Sequence, residues 1–182
     1  PVMPSQTRKH KLKIILRIVA VVGVLLVGGV LFDLYCPRTS RLREFNPDEV
    51  ARLETAMWRS YYEKQHLKLF NQLSELLRTQ YHLPALRSNQ VAYYGANAAF
   101  LFQKGKDRSD YEKAFPDLKK FYGEIRKTSD IPFDVERVSE LELDWWIIHR
   151  QRAQHKPGDL ERALAELQAE IYRVPVEKML EH

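Results

Sequence analysis

Three ionisable side chains fall on the apolar faces of predicted helices, where burying a charge is costly unless something pairs with it. On the first helix after residue 46, Glu54 falls within the apolar stripe that contains Met57 and Tyr61. On a later helix, Glu142 and His149 are seven residues apart and therefore point to the same side. Carboxylates and an imidazole that face a helical core could hold a metal ion or fix the register of the helices.

A metal site is the more specific of these two roles. Ferritin-like di-metal proteins use inward-facing carboxylates and Glu-x-x-His motifs, because carboxylates bridge two ions and imidazoles complete the coordination. Glu63 and His66 form one such motif. The remaining ligands, to iron or manganese, would be Glu54, Glu142 and His149. A second Glu-x-x-His is missing and Glu63 points away from the stripe that holds Glu54, so this site is an alternative hypothesis and we predict no cofactor.

The same side chains also suit an ordinary structural role. Glu54, Glu142 and His149 could pair with one another, with Arg59 or Arg150, or with tyrosine hydroxyls, and so fix the register of the helices. Pairs of this kind are common in helical domains. The sequence therefore favours this interpretation over the metal site.

Adjacent aromatic residues recur along the chain, as Tyr61-Tyr62, Tyr93-Tyr94 and Trp145-Trp146. Neighbouring residues on a helix point about 100° apart, so one member of a pair can enter the core while the other reaches its boundary. Boundary aromatics suit a partner surface or a binding groove, and a plain core explains them as well. The candidate partner-binding residues are Trp58, Tyr62, Tyr93 and Trp146.

The familiar catalytic motifs are missing from the sequence. It contains no Gly-rich phosphate loop, no Gly-x-Ser-x-Gly and no His-Glu-x-x-His. Its one cysteine, Cys36, excludes an intrachain disulfide and a Cys-rich metal site. The sequence therefore favours a role that is not enzymatic.

Helices must position these residues, because no stretch alternates for long enough to form a strand. The segment Asn46-Pro47-Asp48-Glu49 has the composition of a helix start. We predict helices over 47–81, 89–104, 107–128 with a bend or restart at Pro116, 135–153 and 160–174. The predicted fold class is all-α, with residues 46–182 forming a bundle of four to five antiparallel helices.

An apolar segment near the amino terminus predicts a single transmembrane helix. Residues 18–32 carry no charge, and the run over 14–32 spans roughly 28 Å if Arg17 extends toward the headgroups. No small-residue cleavage site follows it, so we expect an uncleaved anchor. The predicted organisation is a basic segment at 1–13, the anchor at 14–35, a stalk at 36–45 and the helical domain at 46–182.

The excess of positive charge lies at this end of the chain. Five of the 29 Lys and Arg residues lie at or before the start of the span, which leaves residues 37–182 with 24 basic and 23 acidic side chains. Such a balance gives no electrostatic footprint for nucleic acid. Five basic residues before the span against three just after it place the amino terminus in the cytoplasm and the helical domain on the periplasmic or other extracytoplasmic side.

Three functions fit these observations. The leading hypothesis is a partner-binding accessory or scaffolding subunit of a membrane complex, with the lipid bilayer and other subunits as its partners. The second is a membrane-tethered metal-binding enzyme or electron-transfer protein. The third is a small-ligand or lipid-binding bundle, for which a large apolar cavity near the paired aromatics would be evidence.

Overall fold

The structure is a computed structural model that describes residues 5–36 and 42–181. The chain divides into two compact units, Pro1–Cys36 and Pro37–His182. The described parts of both units are built from helices and contain no β-strand, which confirms the predicted all-α fold.

The first unit is one helix, α1 (Ser5–Tyr35). Its stretch His10–Tyr35 is long and apolar enough to cross a membrane, and it is the only such helix in the described part of the chain. Large apolar side chains along it are exposed, with Val24 at 71% and Leu25 at 69%. Exposing so much apolar surface to water is unfavourable, and a lipid environment removes that penalty.

The second unit contains the helices α2 (Pro47–Tyr62), α3 (His66–Thr79), α4 (Ala85–Lys104), α5 (Arg108–Tyr111), α6 (Phe115–Thr128), α7 (Val135–Arg150), α8 (Asp159–Tyr172) and α9 (Val176–Leu180). Single 3₁₀ turns precede α6 and follow α7. Helices that follow one another along the chain pack together, α2 on α3, α3 on α4, α6 on α7 and α7 on α8, and α4 also packs on α6. This arrangement is a helical bundle.

The predicted continuous helix over 47–81 is wrong, because the chain forms two helices there, α2 and α3. Between them Lys64 adopts a left-handed backbone conformation with φ of 57°. The Gln65 amide then donates to the Ser60 carbonyl at 2.8 Å, a closure typical of helix ends. Apolar spacing continues on both sides of this turn, so periodicity alone does not detect it.

Helix starts follow the predicted capping chemistry. The Asn46 side chain accepts hydrogen bonds from the amides of Asp48 and Glu49, at 3.0 and 3.3 Å. The Asp134 side chain accepts one from the Arg137 amide at 3.1 Å. These bonds satisfy amide groups that have no partner inside the first turn.

Two other helix starts test the predicted boundaries. The restart at Pro116 is confirmed, since this proline lies in the first turn of α6, where a missing N–H costs nothing. The second long helix begins earlier than residue 89, at Ala85. Ser88, the expected cap, lies inside its first turn and donates to the Ala85 carbonyl at 2.8 Å.

The end of the predicted stalk packs on the bundle. Leu42 is 3% exposed and belongs to the main apolar core. Arg43 donates to the Tyr172 carbonyl at 2.7 Å. The helical domain therefore includes the last residues of the segment predicted as stalk at 36–45, whereas 37–41 lie outside the described residues, as do 1–4 of the basic segment.

A buried ion pair joins α4 to α6. Arg87 Nη2 lies 3.2 Å from Glu124 Oε2, and the two side chains are only 6% and 17% exposed. Glu124 also pairs with Lys127 on its own helix, so it lies between two cations. The pair therefore constrains how these two helices meet.

Two glycines give a matched test of the packing at the end of α4. A Cβ atom at Gly105 would lie 2.7 Å from the ring of Tyr111, whereas one at Gly123 in α6 would meet nothing within 4 Å. Gly105→Ala should therefore lower the free energy of unfolding by about 1–3 kcal/mol through overpacking. Gly123→Ala should raise it by about 0.5–1 kcal/mol through helix propensity. Denaturant unfolding of the full chain in detergent measures both, and equal effects would contradict the close contact at Gly105.

Candidate functional site

The second unit contains a cavity of about 550 Å³. Side chains from α2, α3, α4, α6, α7 and α8 line it, and most of them are apolar or aromatic. All three tryptophans of the chain are on its wall, Trp58 from α2 and Trp145 and Trp146 from α7. The polar groups of the wall form two sets, one around Glu142 and one around His149.

Glu142 is partly buried on the cavity wall, and the removal of its carboxyl group from water raises its pKa to about 7. The Tyr122 hydroxyl donates to Glu142 Oε2 at 2.9 Å. That bond and one from Trp146 oppose the rise in the pKa of Glu142, whereas the negative charge of Glu54 adds to it. Glu142 is therefore present in both protonated and ionised forms at neutral pH.

Glu54 is the second carboxyl group on this wall. The prediction that Glu54 is buried is wrong, because the residue is exposed to solvent at the edge of the cavity. The protein that surrounds its carboxyl group still raises its pKa. Near it the hydroxyls of Tyr81 and Tyr172 are hydrogen-bonded to each other, and burial raises the pKa of both. Among residues 42–181 no Lys or Arg forms an ion pair with Glu54 or Glu142.

An aromatic cluster surrounds His149 where α2 meets α7. The indole of Trp145 stacks on the His149 ring, with ring centroids 5.8 Å apart and planes inclined by 18°. Trp58 lies 5.3 Å from each of these two rings. The Tyr62 hydroxyl is 2.7 Å from His149 Nε2, so the imidazole connects the two helices.

Two polar atoms in this cluster are buried without a hydrogen-bond partner among the described residues, Trp145 Nε1 and His149 Nδ1. Burial and the nearby charge of Arg152 lower the pKa of His149, which favours the neutral imidazole. Buried polar groups in native proteins are usually satisfied, so these two atoms are an unsatisfied feature of the cluster. Both are closed off from solvent, and the cluster offers a ligand its aromatic rings rather than these atoms.

The structure brings Glu54, Glu142 and His149 to one cavity but does not join them to the Glu-x-x-His pair. Glu63 and His66 flank the turn between α2 and α3, so they do not lie one turn apart on a helix, and neither lines the cavity. The His66 ring instead contacts the Phe100 ring of α4, with the two ring centroids 4.1 Å apart. Within residues 5–36 and 42–181, no group of three or more His, Cys, Asp or Glu side chains is arranged to hold a metal ion.

Tyrosine hydroxyls are the partners of two predicted buried groups, which confirms one form of the structural interpretation. The Tyr122–Glu142 bond joins α6 to α7, and the Tyr62–His149 bond joins α2 to α7. Arg150, predicted as a possible charge partner, donates to the carbonyls of two residues of α4 at 2.7 and 3.2 Å. Tyrosine hydroxyls therefore bond to Glu142 and His149, while Arg150 joins α7 to α4 through backbone carbonyls rather than through an ion pair.

The four candidate partner-binding residues divide into two groups. Trp58 and Trp146 are partly buried and line the cavity. Tyr62 and Tyr93 are 61% and 59% exposed. Only the latter two present a large aromatic surface to the outside of the second unit.

Three tyrosines near Glu54 and Glu142 were not predicted from the sequence, namely Tyr81, Tyr122 and Tyr172. One signal was available, because Phe121 and Tyr122 form another adjacent aromatic pair of the kind that marks the core boundary. The two other tyrosines carry no pattern of their own, and only their packing brings their hydroxyls together.

The burial of Glu142 predicts a pH dependence of stability with a defined sign. Its pKa is higher in the fold than its ordinary value of 4.5, so its contribution is largest at low pH and is lost as the pH rises to about 7. Relative to Glu142→Gln, which stays neutral, the native chain should lose roughly 3 kcal/mol of unfolding free energy over that interval. Denaturant titrations of the full chain in detergent at several pH values measure this loss.

The control for this experiment is Glu140→Gln, at an exposed position on the same helix. This variant should follow the native chain at every pH. If the difference between native and Glu142→Gln proteins stays constant between about pH 5 and pH 7, the carboxyl group is not buried as described.

Comparisons with protein-family models, with curated proteins and with solved structures find no match to this chain. A functional conclusion must therefore come from the chemistry of the cavity and from the long apolar helix α1.

Proposed function

We propose that the second unit binds an apolar small molecule inside its cavity, and that α1 anchors the protein in a membrane. The proposal includes no catalytic step. Of the three functions that the sequence leaves open, it corresponds to the third, a bundle that binds a small ligand.

The size of the cavity carries the proposal. Protein interiors are close-packed and contain few voids larger than a water molecule. A volume of about 550 Å³ instead falls in the range of ligand pockets, roughly 300–1,000 Å³. A helical unit that keeps such a space, rather than filling it with larger side chains, gives up packing energy that an occupant would restore.

The chemistry of the wall supports the same conclusion. Leu73 from α3, Phe121 from α6 and Leu167 from α8 represent its apolar majority. A few polar groups converge on it, foremost Glu142 and His149. Ligand pockets commonly combine an apolar lining with a small number of polar groups that orient the guest.

The proposed membrane location rests on α1, whose apolar length fits a bilayer. The excess of basic residues before the span supports a cytoplasmic amino terminus and a second unit on the periplasmic or other extracytoplasmic side. In this setting apolar molecules that partition into lipid are available to the cavity.

A rigid neutral probe tests the proposed function. We expect 1-adamantanemethanol to bind the full chain in phosphatidylcholine nanodiscs and to change the tryptophan emission, because all three tryptophans line the cavity. Ala99→Phe places a ring on the cavity wall and should weaken this binding at least about tenfold. Titration calorimetry measures the affinity, with empty nanodiscs as the blank.

The matched control is Ala51→Phe, which adds the same ring at an exposed position of α2. It should leave the affinity unchanged. Absence of binding to the native chain, or equal binding to the Ala99→Phe and native proteins, would show that the cavity is not a ligand site.

The accessory-subunit role is our second proposal, and exposed apolar side chains support it. Leu67 is 81% exposed, Tyr62 61% and Tyr93 59%, although single exposed apolar residues also occur on monomers. Because aromatic residues are enriched in protein interfaces, Tyr93 is the position to test.

Purification in mild detergent checks this second proposal. We expect a membrane protein to co-purify in fixed stoichiometry with the native chain and to be lost from Tyr93→Ala, since interface tyrosines often contribute about 2 kcal/mol. Lys104→Ala, exposed on the same helix, is the control and should retain the partner. A native chain that purifies as a monomer without a companion would contradict the proposal.

A further inference from the structure

One end of the cavity is acidic. Glu54 on α2 and Glu142 on α7 both line it, and the charge of Glu54 contributes to the raised pKa of Glu142. Two carboxyl groups that share an apolar site disfavour each other's ionisation. A positive charge between them would relieve that repulsion and stabilise both carboxylates.

The basic side chains near this end are directed to backbone oxygens. Arg150 lines the cavity, but its guanidinium donates to the carbonyls of Phe102 and Gln103 at 2.7 and 3.2 Å. Arg43 donates to the Tyr172 carbonyl at 2.7 Å. Within residues 42–181 the two carboxyl groups therefore have hydroxyl and indole donors close to them but no ion-pair partner.

Aromatic ring faces add to this preference for positive charge. Trp58, Tyr61, Trp145 and Trp146 all contribute to the wall of the cavity. The face of an aromatic ring carries partial negative charge and attracts organic cations, most strongly in the case of indole. The two carboxyl groups outnumber the single positive charge of Arg150 on the wall, and with the aromatic rings they favour a cation over an anion.

Resting on the proposed function, we propose that the ligand of the cavity is an organic cation, with an ammonium group beside Glu54 and Glu142 and an apolar body packed against the indole rings. The apolar majority of the wall requires that body, so an inorganic cation or a small hydrophilic amine does not satisfy the site.

Three compounds with one apolar body and different charges test this inference. They are 1-adamantanemethylamine, 1-adamantanemethanol and 1-adamantanecarboxylate, of which only the amine is a cation at about pH 8. Titration calorimetry on the full chain in phosphatidylcholine nanodiscs should show that the amine binds at least about tenfold more tightly than the alcohol. The carboxylate should bind most weakly.

Isosteric variants assign the selectivity to the two carboxyl groups. Glu142→Gln and Glu54→Gln keep the shape of the wall and remove one charge each, so each should reduce the preference for the amine over the alcohol to about threefold or less. Glu140→Gln, an exposed position on α7, should keep the full preference. Binding of the neutral alcohol should be unchanged in Glu140→Gln, which lies outside the cavity wall.

The outcomes separate the two levels of the proposal. If none of the three compounds binds, the proposed ligand-binding function fails. If the alcohol binds as tightly as the amine, or if both Gln variants keep the preference, the cavity binds ligands but the inference of a cation is overturned. Selective binding of the amine that both carboxyl groups support establishes the inferred ligand class.

Discussion

The left-handed turn at Lys64 is the constraint on which the cavity depends. If α2 continued into α3 as a single helix, Leu76 would lie about 33 Å along its axis from Glu54, and both could not line one cavity. Because the chain turns there, α3 packs back on α2, and the two residues share a wall. The turn is closed locally, by the bond from the Gln65 amide to the Ser60 carbonyl. Helix α7 then completes the wall, with Glu142 at the acidic end of the cavity and His149 in the aromatic cluster.

The carboxyl group of Glu142 carries a cost in stability that the proposed binding function would explain. An apolar residue of similar size would fill its place without a desolvation penalty, and such replacements of buried charges are often neutral or stabilising. The fold instead surrounds the carboxyl group with the Tyr122 hydroxyl and the Trp146 indole, which limit the rise in its pKa. Titratable groups that are strongly perturbed inside a cavity are concentrated at functional sites in proteins. The arrangement therefore supports a binding role for the wall more than a role in holding the helices together.

The parts of this fold that follow from local chemistry could be predicted, and the parts that depend on tertiary packing could not. The cap at Asn46 and the restart at Pro116 are encoded by neighbouring residues. The apolar period correctly placed Glu142 on the inward side of its helix, whereas it also predicted a buried Glu54, which is exposed. The turn at Lys64 has no such signal, because lysine rarely adopts a left-handed conformation and the polar stretch around it fits a helix equally well. That turn also separates Glu63 from His66, which removes the basis of the predicted metal motif. The cavity is the space between six helices, so no pattern in the sequence predicts it.

The void in the second unit also affects how the empty and occupied states of the protein compare. A wall that borders unfilled space lacks the dispersion contacts that a filled core would supply, so the empty domain is less stable than a fully packed one would be. A guest that occupies this space binds only the folded state, and by mass action it shifts the melting temperature upward. If the proposed function holds, the melting temperature reports whether the cavity is occupied, and candidate ligands can be ranked by the shift each one causes.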